Sequence, residues 1–354
     1  MSEQYIRYAS TDGLDSNDGT TPARAKRTIS NASSSLPQVD GHGVGAVLAN
    51  PGRYIEVITP IPIGNSYCLK GSGNGNNGAT RIILGPGRNT PLFNVVNPAS
   101  QNHGLQMEDF ILDGNKSAQS TTNVAPLLRL AGGYNCQLTN LGFTASSNFA
   151  WEVPGGYMTI KADNLAGSKC GDDKKGGFLN CTNTQSGGMF SLDVAQIDEC
   201  GLIPIVIQYV GDNGGPHFKF TQMKFENQTN PLMHQSIIQF RPRATGVGHN
   251  IYITVNDLFA YNSRATTGQH ETVISEINNP GRGAFWDLTN IHGSHHYKYG
   301  FASAKTGEKS DGPIIQRMIT RPPDQNVPLF ETNGVRIYDG RVVVYRNNRW
   351  ENLT

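Results

Sequence analysis

The side chains best suited to chemistry in this 354-residue chain are scattered acids. Asp172-Asp173 is an adjacent carboxylate pair in the Lys/Gly loop Gly171–Gly177. Asp193 and Asp257, with Asp109, Asp113, Asp198 and Glu199, lie at strand-like positions farther along. Hydrolysis of a glycosidic bond needs two carboxylates held face to face. Asp172, Asp173, Asp193 and Asp257 are therefore the catalytic candidates if the chain is an enzyme. Carboxylates outside a cleft are first of all soluble surface, and the reading leans away from an enzyme. His292, His295 and His296 form the one histidine cluster, without a neighbouring Cys or carboxylate in the motif, so no metal site and no cofactor is expected. Trp151 and several tyrosines read as exposed rings able to stack on sugars, while Trp286 reads as core or interface.

These residues need a scaffold, and a recurring motif supplies one. It runs apolar, polar, apolar, two looser positions, apolar or small, any, apolar. The copies begin at Leu105, Cys136, Met158, Phe190, Phe218, Ile251 and Trp286, separated by 31, 22, 32, 28, 33 and 35 residues. The apolar positions alternate, as in strands, and Phe, Ile, Val, Tyr and Thr dominate. A strand-length motif returning at 20–50 residues marks a solenoid. Stacked at strand spacing, the copies would pair backbones and share one core, with loops of variable length between them. By this spacing Glu108, Asp193 and Asp257 could approach one another across coils. A β-sandwich is the competing architecture, although its strands usually recur every 8–12 residues.

Charged residues make up 16% of the chain and the net charge is +1, which argues against a nucleic-acid or membrane-surface binder. No apolar run approaches a membrane span, and Met1–Arg7 lacks the pattern of a signal peptide. The five cysteines are unpatterned and read as reduced thiols of a protein made in a cytoplasm. Gly71–Gly78 is glycine-rich, but no P-loop Lys-Ser/Thr follows, so it reads as a flexible turn.

Four regions follow. Residues 1–36 hold a short strand and a capping helix, with a Thr20/Thr21 cap, Pro22 in the first turn, and Ile29, Ala32 and Leu36 on one face. Residues 37–302 form the solenoid and 303–331 its exit. Residues 332–354 form a small β unit, with Asp339-Gly340 turning a hairpin.

The opening also resembles a known family. Tyr8-Ala9-Ser10, Gly13–Thr20, Pro22 and Arg27-Thr28-Ile29 with Ala32 look like the start of pectate-lyase-like right-handed β-helix proteins, common among phage tailspikes and related virion proteins. The fold class expected is thus all-β, a single-stranded right-handed parallel β-helix with an N-terminal capping helix and a C-terminal hairpin unit. The C-terminal strands ending in Trp and Asn are similar to trimer-forming pieces of phage spikes and fibres. The polygalacturonase-like catalytic pattern is not carried over: Asn-Thr-Asp and Arg-Ile-Lys are missing, and His292-Gly293 lacks its leading glycine. What the resemblance implies is a homotrimeric structural protein on the outer surface of a tailed-phage virion, decorating the head and docking on the major capsid protein or another virion protein. No separate N-terminal tail adaptor is expected. The alternative is a tailspike or receptor-binding protein that binds or cleaves host polysaccharide.

Overall fold

The computed structural model describes residues 5–39 and 42–320, apart from 62, 64–65, 76–77, 97–101, 132, 156–158, 172–174, 184–187, 202, 210–214, 227–235, 243–250, 262–269, 278–283, 295–296, 305–308 and 311. Of the tail it describes the backbone of 335–338, 341–346 and 349–352.

The chain is a parallel β-helix. Seven long strands, Gln106–Asp113, Cys136–Thr144, Thr159–Ser168, Met189–Asp198, His217–Glu226, Tyr252–Ala260 and Phe285–Gly293, pair in that order, each parallel to the next. They are the recurring motif. A second parallel sheet takes another strand from each coil: Phe93–Val96, Leu128–Ala131, Trp151–Pro154, Leu179–Asn183, Ile205–Tyr209, Ile238–Pro242, His270–Glu276 and Tyr297–Ser303. Between the sheets lies one core. Leu138, Ala162, Leu192, Phe220, Val255 and Leu288 are successive register partners on one wall, all buried. Leu128, Trp151, Leu179, Ile205, Ile238, Ile274 and Phe301 form a matching column on the other.

The two looser positions of the motif have a physical cause. Asp109, Asn140, Asn164, Val194, Gln222, Asp257 and Asn290 all have φ between 52° and 65°. All seven occupy the same step of successive coils, flanked on both sides by paired residues. One left-handed residue bends the strand, so residues three apart, such as Leu138 and Leu141, both face inward. This conformation costs an L-residue about 1–2 kcal/mol, least for Asn and Asp. Here the side chains form a ladder: Asn140 Nδ2 donates to Asp109 Oδ1 at 2.6 Å, Asn164 Nδ2 to Asn140 Oδ1 at 3.0 Å, and Asn290 Nδ2 to Asp257 Oδ1 at 2.8 Å. Val194 and Gln222 interrupt it.

The first coil is covered as the sequence predicts, with a shifted helix start. Pro22–Arg24 is only a 3-10 turn, because Lys26 returns to bridge Ala9 in parallel. The α-helix is Ile29–Ser34, and its cap is Thr28, whose side chain accepts from Asn31 N–H. Buried Glu56 seats it, accepting from Ile29 N–H at 2.7 Å, from Ser30 N–H at 3.2 Å and from the Ser30 hydroxyl. At the other end Ile314–Thr320, inside the stretch read as the exit, pairs antiparallel with Phe285–Gly293 and ends the first sheet. The tail forms the expected hairpin plus a third strand, all antiparallel.

Val194 is the β-branched member of the bent row and is 40% exposed. Val194→Asn should relieve strain and extend the ladder to Asn164, raising stability by about 1 kcal/mol in urea unfolding. A loss of stability would contradict the assigned bend.

Candidate functional site

The long strands present their outward positions in rows, and the first row is aromatic. Met189, His217, Tyr252 and Phe285 are register partners in four consecutive coils. Each directly precedes a buried residue (Phe190, Phe218, Ile253, Trp286), so strand alternation turns it outward. Tyr252 and Phe285 stack, with centroids 5.1 Å apart and planes at 15°. His217 meets Tyr252 edge-on at 6.4 Å and 73°. Met189 and Tyr252 stay 37% and 44% exposed. At about 4.8 Å per coil the row is about 14 Å long.

Two polar rows run beside it. The nearer is Lys161, Ser191, Lys219, Thr254 and Asp287. The farther is Asp163, Asp193, Thr221, Asn256 and Thr289. His217 Nε2 and Thr254 Oγ1 lie 3.0 Å apart, joining the aromatic row to the first polar row. Partial burial, and then the charge of Lys219, push the His217 pKa below the ordinary imidazole value. The ring is therefore neutral at neutral pH. Ser191 Oγ donates to Asp193 Oδ2 at 2.7 Å, and Lys219 Nζ lies 3.7 Å from Asp193 Oδ1. Burial works to raise the Asp193 pKa, but the hydrogen bond from Ser191, the neighbouring Thr221 hydroxyl and the charge of Lys219 outweigh it and hold the carboxyl below its ordinary range. Asp193 is thus an acceptor or a base, not a proton donor.

The acids named from sequence are not gathered. Asp257 sits in the bent row, two coils from Asp193 and in a different row, bound to Asn290. Glu108 is three coils from Asp193 and bonded to Lys70 at 2.8 Å. Asp109 accepts from Asn140, and Asp113 pairs with Arg81 at 3.3 Å. Asp172 and Asp173 lie outside the described residues, as do His295 and His296. His292 is exposed, and among the described residues no group of three or more His, Cys, Asp or Glu could hold a metal. The register brings two pairs of carboxylates side by side, Asp163 with Asp193 and Asp198 with Glu226. Trp151, read as an exposed ring, is buried against Phe190 at 5.3 Å and cannot meet a sugar; Trp286 is core, as read.

Sequence reasoning missed both the aromatic row and Asp163. The copy read from Ile251 pairs from Ile253 instead, so the copies as read set Asn250, not Tyr252, in line with Met189, His217 and Phe285.

No protein-family model matches the chain, and no curated protein or solved structure is significantly similar to it. Among the described residues, no helix is long and apolar enough to cross a membrane.

The site makes a prediction for titration by NMR. His217 should titrate below a histidine in the unfolded chain, and Lys219→Ala should move its midpoint upward, because a neighbouring positive charge disfavours the imidazolium. A midpoint at or above the unfolded reference would contradict the packing of this row.

Proposed function

We propose that the protein binds a polysaccharide along this outer face, as the receptor-binding β-helix of a phage-like particle. The exposed aromatic row carries the reading. Stacked on each other, Tyr252 and Phe285 present their edges, and with exposed Met189 they form an apolar strip against which the apolar faces of sugar rings can pack. Hydroxyl, amide, ammonium and carboxylate groups run alongside to bond sugar hydroxyls. The neighbouring rows mix both charge signs, which suits a hydroxyl-rich chain better than a polyanion. Binding is better supported than cleavage. A hydrolase needs one carboxyl of a pair as proton donor, and Asp193, in the rows beside the aromatic one, is held ionised.

A virion-coating role, the first expectation from sequence, draws support from a different observation. Ile55, Val57 and Ile58 are 56%, 50% and 57% exposed within one short stretch beside the capping helix. Such a patch suits docking on another protein. The two readings are compatible if this end attaches and the flank binds.

The test is equilibrium binding of the full chain to a panel of bacterial capsular and O-chain polysaccharides. At least one should bind, and Tyr252→Ala should weaken it about tenfold, or about 1.4 kcal/mol. Binding unchanged by Tyr252→Ala, or none across the panel, would overturn the reading.

A further inference from the structure

Two buried thiols share one step of neighbouring coils. Ser168 and Asp198 are register partners. Lys169 and Glu199 follow, both left-handed, at φ 57° and 49°. The next residues are Cys170 and Cys200, 0% and 2% exposed. Their backbones stay in step, because Gly201 N–H donates to the Cys170 carbonyl at 2.6 Å, just as Gly171 N–H donates to that of Ser146 one coil earlier. The Cys170 thiol donates to the Ser168 carbonyl at 3.4 Å and to that of Phe143 at 3.7 Å, and burial together with the neighbouring Cys170 sulfur pushes the Cys200 thiol well above its ordinary range. Adjacent parallel steps lie about 4.8 Å apart, inside the Cα separation of about 4.4–6.8 Å that a disulfide spans.

The other cysteines stand opposite other residue types in the strand register. Cys136 pairs in register with Ile160, Cys181 with Val153 and Ile207, and Cys68 with Ala46 and Gln106.

We propose that Cys170 and Cys200 form a redox-dependent staple, open as two thiols in a reducing cytoplasm and closed as a disulfide once the protein meets an oxidising exterior. Closure joins the two sulfurs and releases two protons and two electrons. A small-molecule disulfide such as oxidised glutathione accepts them and leaves as two thiols. The staple ties the coil that carries Asp163 to the coil that carries Asp193 and Met189. It closes a long loop, for which an unfolded chain loses the most entropy.

The full chain would be incubated with oxidised glutathione and, in parallel, refolded from denaturant in it, so that access to the buried thiols does not limit the reaction. Free thiols would then be alkylated and the digest read by mass spectrometry. The expected product is one peptide pair joined through Cys170 and Cys200, about 2 Da below the sum of the two thiol peptides. The oxidised protein should melt about 5 °C higher than the reduced one. Cys200→Ser, with an unchanged circular-dichroism spectrum, should lose both effects, whereas Cys136→Ser should keep them. Full alkylation of both thiols in both arms, a linkage through any other cysteine, or a melting point indifferent to oxidation would overturn the proposal.

Discussion

The structure depends on one constraint, the in-register parallel pairing of each coil with the next. Side chains alternate along a strand, so a slip of one residue would exchange the core for the surface. The left-handed bend shared by seven coils makes the register unambiguous. A slipped coil would place its bend opposite straight backbone and break both the hydrogen-bond ladder and the inward column. The bend also costs backbone strain in every coil. Asn and Asp at five of the seven positions reduce that cost, and the cross-coil amide bonds offset part of it.

A stack held this way needs its ends covered, because an open last coil exposes core and strand edge together. The first coil is covered by a six-residue helix too short to be stable alone. Packing and the buried Glu56 carboxylate hold it, an acceptor placed where two helix N–H groups lack partners. The first sheet ends in an antiparallel strand, with Ile315 and Met318 turned to the core and Ile314 to solvent. On the long outward face between these ends the repeated register becomes a repeated surface. Met189, His217, Tyr252 and Phe285 line up because their coils do.

Much of this was legible in the sequence. The inward positions announce themselves because burial admits few residue types, so the seven long strands and the hairpin could be located, although the copies read from Met158 and Ile251 pair from Ile160 and Ile253, two residues on. The second sheet was harder, since strands such as Leu128–Ala131 and Trp151–Pro154 are four residues long and lie among loops of variable length. Trp151 was misread for that reason: without the second sheet there was no inner wall for it to join. The helix start was misplaced because Pro22 gives a start signal that the Lys26–Ala9 bridge overrides. The acids were individually visible, but which of them meet is a property of register. Asp163 and Asp193 become neighbours only once Ala162 is set beside Leu192. The aromatic row stayed hidden because outward positions vary freely and a single ring there is unremarkable.

The most direct test of the account is the register at its functional face. In a Tyr252→Cys/Phe285→Cys double variant the two thiols would stand on the same outward row of adjacent coils, whereas in Tyr252→Cys/Trp286→Cys one would point outward and the other into the core. Mild oxidation should join the first pair and not the second. Cross-linking of the 252/286 pair, or equal yields from both, would contradict the register and with it the aromatic row.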